Sequence, residues 1–116
     1  MPIDFDANRW SKIKEDYSRW WKGELKRPII HVTLTGCKPG REEPEYPLKG
    51  FTSFYGKEVS AEKIIDSWDY ALSSQKFIGD GFPSIWPNFG PGVAASFLGA
   101  ELKNGYDTVW FHPREE

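Results

Sequence analysis

The stretch from 79 to 99, GDGFPSIWPNFGPGVAASFLG, constrains the fold more than any other part of this chain. Its apolar residues before the turn predict a strand over 82–87, although two prolines there restrict the hydrogen bonding of that strand. A turn rich in proline and glycine follows, and Pro91 suits the first position of a helix, which we predict over 91–103. Ligands of α/β proteins bind where a strand passes through a glycine turn into a helix. The turn is therefore the first place to look for a site.

Two elements precede this stretch. Aromatic and aliphatic residues at steps of three and four predict an amphipathic helix over 6–24, which Asp4 or Asp6 can cap. Its tryptophan stripe indicates either core packing, including a lid over a barrel end, or stacking against a ligand. The run PIIHVTLT predicts a strand over 28–35, and its nearly continuous apolar character is typical of a parallel sheet. His31 within it is either a hydrogen-bonded core residue or a ligand or base.

The remaining chain completes an alternating order of helices and strands. Residues 36–59 are rich in proline, glycine and charge, which predicts a long loop of the kind that is often functional or mobile. Ser60 is a good N-cap for a helix over 60–77, and the run TVWFH predicts a last strand over 108–112. This alternation predicts an α/β fold with a parallel sheet and right-handed crossovers.

Composition limits the classes of partner and compartment. A chain of 116 residues is one domain or part of one, and its net charge of −2 carries no signature of nucleic acid or anionic membrane binding. Cys37 is the one cysteine, which favours a reducing compartment over a disulfide framework. The polar first residues do not resemble a signal peptide, and apolar runs are too short to span a membrane. We therefore expect a cytoplasmic protein with no nucleic-acid or membrane partner.

The sequence contains no recognisable catalytic constellation. The glycines of the central turn do not form a phosphate-binding motif, and the prolines there remove backbone donors. His31, Cys37 and His112 match no zinc spacing, so no metal ligand is assigned. The serines at 53, 73 and 74 have no nearby histidine and aspartate partners. The catalytic residues stay unknown at this level.

Several motifs together resemble the uroporphyrinogen decarboxylase-like superfamily, which includes the decarboxylase and corrinoid- and cobalamin-dependent methyltransferases. The similar runs are Trp20-Trp21-x-Gly23-Glu24-Leu25-x-Arg27-Pro28, Gly79-Asp80, Gly90-Pro91-Gly92, Phe97-Leu98-Gly99-Ala100-Glu101 and Asp107-Thr108-Val109-Trp110-Phe111. The resemblance implies the N-terminal portion of a TIM-type (β/α)8 barrel, a fold of about 250 residues, so the barrel would be incomplete in this chain.

The resemblance also implies a function and a set of site residues. A longer parent would act on a small molecule, either a tetrapyrrole or a methyl donor, while this segment alone would be inactive and hold no cofactor. Corrinoid or zinc would belong to the full-length parent. Arg41 would contact anionic substrate groups, Asn88 would line the mouth of the barrel, and Gly90 and Gly92 would let a ligand approach the backbone. His31 completes the predicted substrate-binding set. Asn88 stands where the decarboxylases carry an active-site aspartate.

A second hypothesis needs no enzyme. Aromatic residues make up 16% of the chain and include six tryptophans. These numbers are high enough that some rings are expected at a binding surface or at a subunit contact. The alternative is a small α/β module that self-associates through its aromatic surface as a homodimer that buries Trp10 or Trp20.

Overall fold

The structure is a computed structural model that describes residues 2–115. Within that range the order of elements is α1 (Ala7–Trp21), β1 (His31–Leu34), a 3-10 turn (Thr52–Phe54), α2 (Ala61–Ser73), β2 (Lys76–Gly79), α3 (Val93–Phe97), β3 (Glu101–Asn104) and β4 (Val109–His112). The strands form two separate sheets of two strands each, β1 with β2 and β3 with β4. The architecture is therefore three helices around two small ribbons.

The predicted parallel α/β sheet of an incomplete TIM-type (β/α)8 barrel is wrong. Both ribbons are antiparallel, and in the first His31 lies opposite Gly79 and Leu34 opposite Lys76. The difference begins at α2, which ends at Ser73 and leaves 76–79 as a strand, whereas the sequence pattern predicts helix up to 77. The partner of β1 is therefore this segment and not the predicted strand over 82–87, and it runs antiparallel to β1.

The central stretch also differs from its prediction. Residues 82–87 form no strand, which agrees with the loss of backbone donors at Pro83 and Pro87. The helix predicted over 91–103 is limited to the five residues of α3, because the chain turns at Gly99 with φ of 107°. Residues 101–104 then pair with β4 as a hairpin, closed by a bond of 2.7 Å from the Gly105 N–H to the Thr108 carbonyl oxygen.

Helices α1 and α2 begin where their capping residues predict. The Asp6 carboxylate accepts a hydrogen bond of 2.8 Å from the Arg9 N–H, and Ser60 accepts one from the Lys63 N–H. Helix α1 ends close to Gly23, which has φ of 73°. Glycine suits this left-handed conformation at the end of a helix. Local chemistry therefore sets the beginnings of these two helices.

A buried tyrosine is one of the residues that attach the long segment between β1 and α2 to α2. The Tyr55 hydroxyl lies 3.0 Å from the Ser67 hydroxyl and donates to the Pro47 carbonyl oxygen at 3.0 Å. The Lys49 N–H donates to the same hydroxyl oxygen. Although the segment is long, these bonds hold its middle against the helix.

The hydrophobic core is small for the length of the chain. Five apolar side chains are buried within the described residues, and they are spread along the chain: Ile13, Tyr55, Val59, Phe77 and Val109. The radius of gyration is 18.2 Å. A compact domain of this length has a radius of gyration of about 13 Å. The molecule is therefore elongated, with much apolar surface outside its core.

None of the helices in the described part of the chain has the length and apolar character that a bilayer crossing requires.

Candidate functional site

A cluster of charged side chains joins α1, the start of β1 and the end of β2. Arg27 donates two hydrogen bonds to the carboxylate of Asp80, at 2.7 and 2.8 Å, and a third to Asp16 at 3.2 Å. Lys12 donates to the same Asp16 oxygen at 2.6 Å. Both carboxylates are buried, whereas the Arg27 side chain is partly exposed. We call the side chains of Lys12, Asp16, Arg27 and Asp80 the Arg27 cluster.

The position of Asp80 follows from the backbone around it. Gly79 has φ of 64° and turns the chain at the end of β2. Glycine adopts this conformation readily because it has no Cβ. The Asp80 N–H then donates to the Ile30 carbonyl oxygen at 2.8 Å, while its carboxylate accepts from the Ile30 N–H at 2.9 Å. Asp80 thus extends the β1–β2 ladder and at the same time directs its carboxylate at Arg27.

The cluster keeps its acids ionised. The hydrogen bond from Arg27 lowers the pKa of Asp80 to about 2, against an opposing contribution from burial. The hydrogen bond from Lys12 lowers the pKa of Asp16, and Asp80 in turn raises the pKa of Arg27. Neither carboxyl group holds a proton at neutral pH, so neither fits the part of a general acid.

A cleft of about 340 Å³ opens beside the Arg27 cluster. Arg9, Ile13, Ile30 and Gly79 line it together with the cluster. Three of the lining side chains are cationic and two are anionic, which leaves one net positive charge. A cleft of this size is at the small end for a ligand site, so it fits one charged arm of a larger molecule. This is the candidate site.

Arg41, predicted to contact anionic substrate groups, lies elsewhere and is occupied by two carboxylates of α2. It donates to Asp66 and to Asp69, and its guanidinium lies 6.0 Å from the centre of the Tyr70 ring. These hydrogen bonds, led by the one to Asp66, raise the pKa of Arg41. An anionic ligand would have to compete with both carboxylates.

Asn88, Gly90 and Gly92 form contacts within the chain. Asn88 donates to the Gly50 carbonyl oxygen at 3.2 Å and accepts from the Gly90 N–H at 3.0 Å. A side chain at Gly90 would overlap Val109, and one at Gly92 would overlap Phe111. The face of these glycines that a ligand was predicted to approach is therefore packed against β4.

His31, the fifth predicted residue, is exposed on β1, and its ring lies 5.1 Å from that of Phe82. Phe82 also contacts Trp10 and Tyr17 of α1 through edge-to-face geometry. The structure thus brings Asn88, Gly90 and Gly92 together but places Arg41 and His31 with other partners. As substrate contacts, all five residues stay predictions.

Sequence reasoning missed the acidic members of the site. Asp16 and Asp80 carry no signal of their own, because nothing in a linear sequence indicates that an arginine 11 and 53 positions away pairs with them. Asp66 and Asp69 lie three positions apart on one helix face, and this spacing is a usable signal for an arginine partner. Among residues 2–115 no three metal-binding side chains lie together.

Comparison with family models, with curated proteins and with solved structures finds no match for this chain. Functional inference therefore rests on the geometry above and on the resemblance of the sequence motifs.

Proposed function

We propose that this chain is a segment of a uroporphyrinogen decarboxylase-like protein whose parent acts on a tetrapyrrole or in corrinoid-linked methyl transfer. The observation that carries the proposal is the Arg27–Asp80 ion pair. Arg27 belongs to the first motif of the resemblance and Asp80 to the second, and 53 positions separate them. A common site requires that motifs distant in the sequence lie together, and here paired, charge-assisted hydrogen bonds join two of them. We propose a family relationship and a class of ligand, and no barrel fold is part of the proposal.

Within this proposal the chain contributes binding contacts and no complete reaction. Lys12, whose side chain is largely exposed, and Arg9, which bonds to backbone carbonyl oxygens, fit a carboxylate arm of a tetrapyrrole. Asp16 and Asp80 occupy Arg27 and hold it in place. No catalytic residue is assigned, since both buried acids are ionised and engaged. The isolated chain is expected to bind such a ligand weakly and to convert nothing.

The test is a titration of the chain with a polycarboxylate porphyrin, and separately with cobalamin, followed by tryptophan fluorescence and visible absorbance. Lys12 lines the cleft and its side chain is largely exposed, so Lys12→Glu reverses a charge there. Because the change also removes the hydrogen bond to Asp16, circular dichroism checks that the variant folds. We expect this change to weaken porphyrin binding by about three- to tenfold, the range for one charge near a protein surface.

The matched control is Lys14→Glu on the same helix, because Lys14 lies over the Trp10 ring outside the cleft. It should leave porphyrin affinity unchanged. Equal loss in both variants, or no binding of either ligand, would contradict the proposal for this chain. Binding of cobalamin alone would assign the chain to the methyl-transfer branch.

A second candidate function is the self-associating module. Its support is the exposure of large apolar side chains, among them Trp21 at 78% and Leu98 at 90%. Trp10 and Trp20, predicted to be buried in a homodimer, are 40% and 43% exposed. Surface of this kind marks a contact site more often than a solvated face.

A further inference from the structure

Every residue of β1 is exposed, and this strand has a well-defined outer edge. The Asp80 N–H bonds to the Ile30 carbonyl oxygen, and the register continues as Val32 opposite Ile78 and Leu34 opposite Lys76. Hydrogen-bonded pairs alternate along an antiparallel ladder. The backbone groups of His31 and Thr33 therefore point away from β2, and within residues 2–115 no third strand pairs with them.

The same ribbon carries an apolar face next to that edge. Ile30, Val32 and Leu34 alternate along β1 and therefore share a face with Ile78 of β2. All four of these side chains are exposed. The opposite face is contacted by other parts of the chain, as the Phe5–Phe77 and His31–Phe82 ring pairs show. One face and one edge of the ribbon are thus open together.

The edge of β1 also lacks the features that normally prevent an exposed strand from pairing with another chain. Charged residues, prolines and a covering element are the usual protection. The run IIHVTLT contains no lysine, arginine, acidic residue or proline. The outer edge of β2 differs, since Lys76 forms a parallel bridge with Asp4 there, and strand β3 carries Glu101 and Lys103. The edge of β1 therefore invites pairing more than the edges of β2 and β3 do.

We propose that a second copy of this chain pairs with the edge of β1, antiparallel about a twofold axis through Val32, and completes a four-stranded sheet. This inference rests on the self-association of the candidate above and places the contact at the edge of β1 instead of on the aromatic surface. In this register His31 pairs with the partner's Thr33, Val32 lies opposite the partner's Val32, and Ile30 lies opposite the partner's Leu34. Shifting the axis to His31 would put Leu34 opposite the partner's Pro28, and shifting it to Thr33 would put Ile30 opposite the partner's Gly36.

Exposed area and charge both agree with a second copy as the occupant. The chain has a mass of 13.4 kDa and exposes 8760 Å². A folded monomer of this mass is expected to expose roughly 6,500 Å², so the excess is about 2,200 Å². That excess is spread over the molecule, and it is large enough to supply the share of one subunit in an obligate dimer interface. A net charge of −2 gives little repulsion between two copies.

The proposed axis sets position 32 against itself, which permits a charge-pairing test. Val32→Lys and Val32→Glu each place like charges about 5 Å apart across the axis, and each is expected to weaken dimerisation by about tenfold or more. An equal mixture of the two variants places opposite charges there and should restore the dimer. Sedimentation velocity over a wide concentration range measures all three, and circular dichroism checks that each variant folds.

The matched controls are Ile78→Lys and Ile78→Glu. Ile78 is on the same face of the same ribbon, but β1 of both copies would separate it from the partner's Ile78. We therefore expect no weakening of the dimer in either variant and no change when the two are mixed. If the mixture of position-32 variants stays monomeric, the twofold register is wrong.

Two further outcomes distinguish the β1 contact from the self-associating module. A wild-type chain that is monomeric at every concentration would overturn both the β1 contact and the self-associating module. A dimer that persists in Val32→Lys and Val32→Glu but dissociates in Trp21→Ser would overturn the β1 contact and leave the aromatic surface as the interface.

Discussion

Asp80 has two structural roles that a single residue change can separate. Residue Asp80 is 3% exposed, and its carboxylate accepts hydrogen bonds from Arg27 and from the Ile30 N–H. It therefore joins the end of β2 to the segment before β1, and Arg27 continues the contact to Asp16 of α1. The Asp80 backbone N–H bonds to Ile30 in any case. Replacing the carboxylate with an amide keeps the shape and the backbone bond, but it removes the charge and turns one of the two accepting oxygens into a donor.

We expect Asp80→Asn to lower the free energy of unfolding at pH 7 by about 1–3 kcal/mol, the range for a weakened buried hydrogen bond to a charged group. The folded pKa of Asp80 is about 2 and lies below the ordinary value of 3.8. Its contribution is therefore complete above the ordinary pKa and disappears as the pH falls through the folded one. The difference between wild type and variant should shrink between pH 4 and pH 2.

Urea unfolding followed by tryptophan fluorescence at several pH values measures this difference. Asp107→Asn serves as the control, because Asp107 is exposed. A gap between wild type and Asp80→Asn that stays constant down to pH 2 would show that the ion pair does not stabilise the fold.

At the scale of elements, the β3–β4 hairpin is held to the rest of the chain through the glycine turn at 90–92. Gly90 has φ of 90°, and the space where a side chain would go contains Val109 and Phe111 of β4. Ser53 and Asn104 add a pair of hydrogen bonds of 2.8 Å between the 3-10 turn and β3. The hairpin therefore depends on close packing at one glycine and on two polar contacts.

Gly90→Ala is expected to destabilise the hairpin by about 2–4 kcal/mol, which combines backbone strain with overpacking against Val109. Gly99→Ala separates the two contributions, since Gly99 also has a positive φ but no atom within 4 Å of the added methyl group. It should cost about 1–2 kcal/mol from strain alone. Hydrogen exchange of the β3 and β4 amides reports on the hairpin directly, and equal losses in the two variants would mean that packing against β4 contributes nothing.

At the scale of the whole molecule, extents of 58 × 39 × 21 Å and five buried apolar side chains describe a chain with little core of its own. A small core cannot offset the conformational entropy of folding by a wide margin. Association that covers the apolar surface would supply the missing stability.

If the chain self-associates, its urea midpoint should rise with protein concentration, by roughly 1 M for a hundredfold increase in a dimer of this size. Tryptophan fluorescence at two well-separated concentrations measures the shift. A cooperative transition at the same midpoint would identify a stable monomer and contradict the dimer. A broad, non-cooperative loss of signal would mean that the chain needs contacts that a second copy does not supply.

What the sequence by itself determined is local. The N-caps at Asp6 and Ser60, and the helices that follow them, depend on interactions among residues a few positions apart. A linear pattern records such interactions, and it records the β-branched run of β1 in the same way. The prolines at 83 and 87 likewise restrict their own backbone. They are a better guide to the absence of a strand over 82–87 than the apolar residues between them are to its presence.

Only the tertiary structure decided the direction of strand pairing and the composition of the site. Apolar character in β1 was compatible with either a parallel or an antiparallel neighbour, and the structure pairs it antiparallel with the segment that follows α2. Arg27 finds Asp80 across 53 positions, and Gly90 packs against Val109 and Phe111. Turns of the chain bring these residues together, and no local sequence pattern predicts the geometry of those turns. Long-range charge pairing and close packing depend on distances in space, and the sequence order does not record them.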